Sequence, residues 1–267
     1  NDMKNKYRLM LNLEGIATAI FANSPFDNRK ISLYKSLRSH FWHHTDNNRT
    51  GLLPFVFEDD FNFEKYVEYA LDVPMYFIIR DYKYINMTNY TFRYFLENKL
   101  KKETHIEPTI DDWVNHISTL FPQVRLKQFL EIRSMDACSW DLICSQPAFW
   151  IGLLYNDTSF SKAQELVESW TQDDRNYINK ISPIDGLQAQ FKDGTILDYA
   201  QKLFEISKQG LEARNILARN ETYNETFYLK DLEKNLASGQ SPADILISKF
   251  NNEWDQNINK IYTENIF

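Results

Sequence analysis

Glycine is scarce in this chain, with only 7 among its 267 residues, and each glycine stands isolated from the others. A P-loop needs clustered glycines so that backbone N–H groups surround a phosphate. A dinucleotide-binding fold needs them so that the backbone can approach the pyrophosphate. Neither pattern occurs in the sequence. Any nucleotide that the protein binds must therefore be held by side chains and metal ions.

Cysteines are also few, and long apolar runs are missing. The two cysteines, Cys138 and Cys144, are too few for a disulfide framework, and no His or Cys pair completes a zinc site with them. Reduced thiols are typical of cytosolic proteins, so we predict a cytoplasmic protein. We expect its source to be bacterial. No run reaches the roughly 18 apolar residues that a membrane-spanning helix requires. We therefore expect no membrane partner.

The chain carries a net charge of −7, with 43% hydrophobic and 25% charged residues. This balance is typical of a globular protein. An acidic chain lacks the basic face that binds nucleic acid, so we expect no nucleic-acid partner. A phosphorylated small molecule stays possible, because a bound magnesium ion can supply positive charge locally.

The order of secondary-structure signals predicts an α+β fold. Apolar periodicity predicts helices over residues 6–22 and 60–72 and a short strand over 75–79. Residues 148–155 form an apolar run that suits either a buried strand or a core helix. The later part of the chain, 151–267, predicts helices that cover the sheet formed by residues 1–150. Thr195 with Asp198 marks one helix start there, closing near Gly210, and Ser241-Pro242 with Asp244 marks another.

Two further segments alternate with a period of two and are predicted to be strands. In residues 36–42 this pattern places Arg38 on one face of a strand. In residues 124–136 the even positions are mostly apolar and the odd positions mostly charged, so Glu131 and Arg133 should be neighbours about 6.5–7 Å apart. A carboxylate there can ligate magnesium, and the adjacent arginine can bind phosphate oxygens. The alternative is a surface ion pair with no function.

The histidines of residues 39–46, His40, His43 and His44, permit a second chemistry. A zinc hydrolase needs ligands that converge on one point. On a strand, His40 and His43 would face opposite sides, so solvated or hydrogen-bonded histidines are the favoured interpretation.

Long strings of the sequence resemble the plant and proteobacterial type of glutamate–cysteine ligase, in order from about residue 3 to the C-terminus. The matching strings are residues 16–26, 37–42, 49–51, 53–59, 69–77, 121–127, 130–133 and 147–155. The resemblance implies a glutamine synthetase-like carboxylate–amine ligase, with an antiparallel sheet covered by helices. It also implies an activity: the γ-carboxylate of glutamate attacks ATP to form an acyl phosphate, and the amine of cysteine then displaces phosphate. The product is γ-glutamylcysteine, the first intermediate of glutathione synthesis.

The resemblance also implies roles for four residues. Arg38 would bind the glutamate carboxylate, and Tyr76 would line the cysteine pocket. Glu131 would be a catalytic magnesium ligand, and Arg133 a catalytic residue that contacts ATP at the transferred phosphoryl group. Trp42 and Asp136 are weaker candidates, near these residues in sequence only. Mg²⁺ is the implied cofactor, and the protein is expected to be a monomer or homodimer.

The family's N-terminal region, which carries further magnesium-binding glutamates, has no counterpart here. We therefore expect this chain to form the C-terminal part of one catalytic domain and to be inactive alone. A non-catalytic remnant and a related ligase that uses another amine remain as alternatives.

Overall fold

The helical periodicity of the sequence is realised in the computed structural model, which describes residues 2–97, 106–219 and 222–264. The chain divides into two units. The first unit comprises Asn1–Leu11 and Trp42–Arg133, and the second comprises Asn12–Phe41 and Ser134–Phe267. In the described ranges no helix combines the length and the apolar character that crossing a membrane requires.

The described helices are distributed along the chain, and strands lie in several of the connections between them. They are α1 (Asp2–Ile20), α2 (Leu37–His43), α3 (Phe63–Asp72), α4 (Phe92–Leu96), α5 (Ile110–Ser118), α6 (Trp140–Ile143), α7 (Ser145–Leu154), α8 (Asp157–Val167), α9 (Gln172–Asp185), α10 (Ile196–Arg214), α11 (Lys230–Ser238), α12 (Pro242–Asn252) and α13 (Ile261–Glu264). Four short 3₁₀ turns complete the described helical structure, at Pro54–Phe57, Gly186–Gln188, Glu225–Leu229 and Ile258–Lys260.

The described strands pair two by two and form small ladders, whereas the prediction was one antiparallel sheet. They are β1 (Phe26–Asp27), β2 (Lys30–Ile31), β3 (Thr50–Gly51), β4 (Phe77–Arg80), β5 (Lys83–Asn86), β6 (Phe121–Pro122), β7 (Val124–Leu126), β8 (Leu130–Ile132), β9 (Gln190–Phe191) and β10 (Gly194–Thr195). Strand β3 pairs with β6 in parallel, and the other four ladders are antiparallel hairpins. The α+β class is therefore confirmed, while a continuous sheet does not occur among the described residues.

The strongly periodic segments are helices, as predicted. Helix α1 covers most of residues 6–22, and α3 lies within 60–72. The ambiguous apolar run 148–155 falls almost wholly in helix α7. Thr195 and Ser241 each form a capping box with the acidic residue three positions later. The hydroxyl accepts a hydrogen bond from the backbone N–H of the acidic residue, and the carboxylate accepts one from the backbone N–H of the capping residue. Helix α10 does not close at Gly210 as predicted but continues to Arg214.

The strand predicted over residues 36–42 is wrong: this segment is helix α2. The side-chain oxygen of Ser36 accepts a hydrogen bond from the backbone N–H of Ser39 at 3.2 Å. Such an interaction is typical of a helix start. A segment of seven residues is too short for alternation to exclude a helix, so a local cap decides its structure. Arg38 therefore lies on a helix and not on a strand.

The single strand predicted over residues 124–136 is also wrong, because the chain turns back at Lys127–Phe129 to form the β7–β8 hairpin. The register pairs Arg125 with Glu131. Lys127, Gln128 and Phe129 include none of the glycine, proline or asparagine residues that usually mark a turn. The alternation of apolar and charged residues therefore continues through the turn, and no local residue type marks where the chain reverses.

The first unit packs around the β4–β5 hairpin and the helices next to it in sequence. Its main buried cluster consists of Met75, Ile78, Met87, Phe92 and Phe95. A second cluster joins α3 to the segment after α5 through Ala70, Val73 and Leu120. Burial of these side chains fixes α3 and the β4–β5 hairpin.

The second unit contains the closest helix contact, between α7 and α10. A Cβ atom added at Gly152 would lie 2.2 Å from the carbonyl oxygen of Ser207, and one at Gly210 would lie 2.0 Å from that of Gly152. The Ser207 hydroxyl donates to the carbonyl oxygen of Phe149 at 2.8 Å. Glycine is therefore required here because two backbones approach each other directly.

Candidate functional site

The four residues predicted to bind substrates belong to different units. Glu131, Arg133 and Tyr76 lie in the first unit, and Arg38 lies in the second. Glu131 and Arg133 are brought into direct contact. Tyr76 belongs to a separate cluster of the first unit.

Glu131 is the centre of a cationic cluster at the β7–β8 hairpin. Arg125, its partner across the ladder, donates from Nη2 to both carboxylate oxygens at 3.0 and 2.7 Å and from Nε at 3.2 Å. The guanidinium of Arg133 forms an ion pair with Oε1, and Lys127 Nζ lies 3.7 Å from Oε2. Burial raises the pKa of the Glu131 carboxyl, but hydrogen bonds and positive charge from Arg125 and Arg133 outweigh it and lower the pKa. Glu131 is therefore ionised at neutral pH.

Arg125 holds this cluster in place. Its side chain is 7% exposed, and its Nη1 donates to the carbonyl oxygens of Ser118 at 2.8 Å and Leu120 at 3.1 Å. Sequence reasoning put Arg125 on the charged face but gave it no role, because its partner depended on the turn. One carboxylate surrounded by three cations leaves an excess of positive charge. Such a cluster suits an anionic ligand such as a phosphate.

Arg133 is bordered by aromatic rings. Its guanidinium carbon lies 5.5 Å from the ring centroid of Trp42 and 5.4 Å from that of Phe121. The indole N–H of Trp42 donates to the carbonyl oxygen of Phe121 at 3.3 Å. Trp42, a weaker candidate from sequence, thus contributes to the orientation of Arg133 through cation–π contact.

Tyr76 is held by Arg49 and Asp46, two residues to which sequence reasoning assigned no role. The Arg49 guanidinium carbon lies 3.6 Å from the Tyr76 ring centroid, and the Tyr76 hydroxyl donates to Asp46 Oδ2 at 3.1 Å. Arg49 is 1% exposed and also donates to Asp46 Oδ2 at 2.6 Å and to the carbonyl oxygen of Pro74 at 2.5 Å. Only the short spacing from Asp46 to Arg49 could have suggested this pair, and their stacking on Tyr76 is a tertiary contact.

The pKa values in this cluster follow its contacts. Burial raises the pKa of Asp46, but hydrogen bonds from Arg49, the Asn48 N–H and Tyr76 outweigh it and lower the pKa. Burial raises the pKa of the Tyr76 hydroxyl, opposed by the charge of Arg49. At neutral pH the cluster therefore presents a neutral phenol held between an ionised carboxylate and a guanidinium.

Arg38, in the second unit, is fixed at both ends. Its backbone N–H donates to Ser24 Oγ at 3.1 Å, and its Nη1 donates to the carbonyl oxygen of Ser134 at 3.0 Å. The carboxyl of Glu14 on α1, 1% exposed, interacts electrostatically with Arg38. Burial raises the pKa of Glu14 to about 7, against the lowering effects of a hydrogen bond from Thr18 and the charge of Arg38.

The histidines do not converge. His40 stacks on Tyr34 with ring centroids 3.9 Å apart in the second unit, while His43 Nε2 lies 3.5 Å from Gln123 Nε2 in the first. Across the described residues no group of three or more His, Cys, Asp or Glu side chains could hold a metal ion. The zinc-hydrolase alternative therefore gains no support from these ranges.

Comparison with known proteins adds independent evidence. The family model described as glutamate-cysteine ligase family 2 (GCS2) matches residues 2–264. Over 266 residues the chain is 44% identical to "Glutamate--cysteine ligase B, chloroplastic" of Oryza sativa subsp. japonica and covers 52% of that protein. It is 43% identical to "Glutamate--cysteine ligase, chloroplastic" of Arabidopsis thaliana and 42% identical to the protein of the same name from Nicotiana tabacum, covering 50% of each. All of this chain is matched, and it spans about half the length of these relatives.

Proposed function

Because the chain belongs to glutamate–cysteine ligase family 2, we propose that it is part of an ATP-dependent ligase that joins L-glutamate to L-cysteine. The product is γ-glutamylcysteine, and the reaction is the first step of glutathione synthesis. An acyl phosphate forms between the γ-carboxylate and the transferred phosphoryl group, and the cysteine amine displaces phosphate from it. The relatives' names support the reaction, and the chemistry of the first unit supports the use of ATP.

The observation that carries the proposal is the Glu131 cluster. ATP brings several negative charges to any site, and glutamate adds a further carboxylate that must approach them. Arg125, Lys127 and Arg133 surround a single carboxylate, so the cluster offers net positive charge without a glycine-rich loop. Preorganised positive charge of this kind stabilises a developing oxyanion, which is what phosphoryl transfer requires.

Within this proposal each residue has one task. Arg133, oriented by Trp42 and Phe121, contacts the transferred phosphoryl group. Tyr76, held by Arg49 and Asp46, forms part of the cysteine pocket. Arg38 on α2 binds a carboxylate of glutamate through its guanidinium.

Mg²⁺ is proposed as the cofactor that accompanies ATP, where it would neutralise phosphate charge. The described residues do not supply a metal site themselves, since Glu131 is a single carboxylate already bound by cationic side chains. Magnesium sites commonly combine one or two carboxylates with substrate phosphates, so Glu131 would contribute one ligand to a Mg–ATP complex.

The finer points of architecture are also proposals. We propose that the chain is the C-terminal part of a glutamine synthetase-like catalytic domain. A cytoplasmic location remains a prediction from the cysteine content and a bacterial source remains an expectation, while the relatives carry the word chloroplastic in their names. The oligomeric state, a monomer or a homodimer, also remains a prediction.

The test is phosphate release from ATP by the full-length protein that contains this chain. Release should require glutamate, and addition of cysteine should yield γ-glutamylcysteine. Hydroxylamine added in place of cysteine should trap the acyl phosphate as γ-glutamyl hydroxamate. Phosphate release that does not depend on glutamate would contradict the proposal, and product formation with another amine but not cysteine would assign a different ligase.

A further inference from the structure

Asp136 occupies a buried polar site in the second unit, next to the helix that carries Arg38. It is 2% exposed, and its carboxylate accepts three hydrogen bonds. Oδ2 accepts from the Asn23 N–H at 2.8 Å and from the Ser24 hydroxyl at 2.6 Å, and Oδ1 accepts from the Ser36 hydroxyl at 2.7 Å. A buried carboxylate with several donors is strongly oriented, because losing any donor leaves charge without compensation.

The two serines transmit this orientation to helix α2. A serine hydroxyl has one proton and two lone pairs, so donation to Asp136 leaves its oxygen able to accept from a backbone N–H. Ser24 Oγ accepts from the N–H of Arg38 at 3.1 Å, and Ser36 Oγ accepts from that of Ser39 at 3.2 Å. Asp136 thus determines where the first turn of α2 begins.

The segment around Asp136 also holds the other end of Arg38. The carbonyl oxygen of Ser134, two residues earlier, accepts from Arg38 Nη1 at 3.0 Å. The carbonyl oxygen of Ala137, one residue later, accepts from the side chain of Asn23 at 2.8 Å. One short segment therefore fixes both the backbone and the guanidinium of Arg38.

We propose that Asp136 is a positioning residue that, through Ser24 and Ser36, orients Arg38 toward the carboxylate of the glutamate substrate. This inference rests on the proposed ligase function and assigns a role to a residue that sequence alone could only place nearby. Asp136 touches no substrate in this proposal. Its effect appears in glutamate binding and not in the handling of ATP.

The experiment measures steady-state kinetics of the full-length protein with Asp136→Asn. The amide keeps the size of the side chain but replaces one acceptor oxygen with a donor. The KM for glutamate should rise about tenfold, comparable to losing one charge-assisted hydrogen bond to substrate. The KM for ATP should stay within about twofold, because Arg38 is not its ligand. Ser24→Ala should raise the glutamate KM about threefold, and Ser24→Thr, which retains the hydroxyl, should restore it.

Asp198→Asn is the control, since Asp198 accepts from the Thr195 N–H at 2.7 Å and from its hydroxyl at 2.8 Å at the start of α10. Asp198 is exposed, and this variant weakens a helix cap without contact to α2. An equal rise in glutamate KM for the Asp136 and Asp198 variants, or none in either, would overturn the inference while leaving the ligase proposal intact. Should Asp136→Asn fail to fold, the Ser24→Ala and Ser24→Thr pair decides the matter by the same KM. Absence of glutamate-dependent phosphate release by the wild-type protein would instead refute the function itself.

Discussion

The two units stabilise buried polar groups by different means. In the first unit buried arginines form ion pairs with carboxylates: Arg49 and Arg125, 1% and 7% exposed, bind Asp46 and Glu131. In the second unit, neutral hydroxyls bind buried groups: Ser145 donates to the carbonyl oxygen of Tyr228 at 2.6 Å, and the carboxylate of Asp136 accepts from the hydroxyls of Ser24 and Ser36. Paired charges form a field that can act on a ligand, whereas bonds from neutral hydroxyls orient the groups that they hold. The first unit is therefore where phosphate chemistry is expected.

The units also differ in how acid and base affect them. In the first unit burial lowers the pKa of His116, which is opposed by the hydrogen bond to the carbonyl oxygen of Ala70. In the second unit burial raises the pKa of Glu14 to about 7. A depressed histidine pKa makes acid destabilising, and a raised carboxyl pKa makes base destabilising. His116 therefore contributes a loss of stability at acidic pH, and Glu14 contributes one at basic pH.

The largest expected effect concerns the charged cluster of the first unit. In the full-length protein, Arg133→Ala should lower glutamate-dependent phosphate release by about 10³-fold, because it removes preorganised positive charge. Glu131→Ala should lower it by about as much, because it removes the proposed magnesium ligand and the carboxylate that holds Arg125 and Arg133 in place. The matched control is Lys208→Ala in the second unit, which breaks an exposed ion pair with Glu233 at 2.8 Å. Its activity should stay near that of the wild type. Comparable losses in both units would erase the functional contrast between them.

Removal of Arg49 should cost the most stability. Arg49→Ala removes the buried guanidinium that donates to Asp46 and to the carbonyl oxygens of Pro74 and Thr119. We expect the free energy of unfolding to fall by about 4 kcal/mol, measured by urea denaturation. Arg93→Ala breaks a more exposed pair of ion contacts, with Asp72 and Glu68, and should cost far less. Equal costs would show that burial does not distinguish the two arginines.

Glu14→Gln should stabilise the protein at high pH only. Because the folded pKa of Glu14 is about 7 and the ordinary value 4.5, its stabilising contribution is complete below about pH 4.5 and is lost as the pH rises through about 7. Glutamine mimics the protonated carboxyl, so the variant should match the wild type at acidic pH and exceed it at pH 8 by roughly 3 kcal/mol. Thermal unfolding at both pH values measures this difference. The exposed Glu212→Gln should show no such pH dependence, and a variant less stable at pH 8 would contradict the assignment.

Gly152→Ala tests the close helix contact of the second unit. Alanine in a helix interior normally stabilises by up to about 1 kcal/mol relative to glycine. Here the added Cβ would meet the carbonyl oxygen of Ser207 at 2.2 Å, so we expect a loss of about 2 kcal/mol in chemical denaturation. Glu212→Ala, on the exposed surface of α10, should change stability little. Stabilisation by Gly152→Ala would mean that the two helices can move apart without cost.

Sequence reasoning succeeded where the signal was local. The apolar stripe of α3 and the capping residues Thr195 and Ser241 were sufficient to place their helices, because periodicity and caps act within a few residues. It failed at residues 36–42 and at the turn Lys127–Phe129. Both segments lack a strong periodic signal: the Ser36 cap decides the first, and contacts distant in sequence decide the second.

The same division applies to the candidate site. Glu131 and Arg133 could be selected from their spacing and from the resemblance to the family. Their partner Arg125 depended on the hairpin register, and a shift of one residue would move it to the other face. The roles of Arg49 and Asp46 came only from their contacts with Tyr76, since Arg49 stacks on its ring and Asp46 accepts from its hydroxyl, across 27 and 30 positions of sequence.

The sequence by itself determined the family, the α+β class, the exclusion of a glycine-rich phosphate loop and the helices α1, α3, α10 and α12, since these depend on composition, local periodicity, caps and long matching strings. Only the tertiary structure decided that Arg38 lies on a helix anchored through Asp136, and that Glu131 is bound by three cations. The physical reason is that a side chain's charge environment is set by residues folded against it. Neighbours along the chain specify only a small part of that environment.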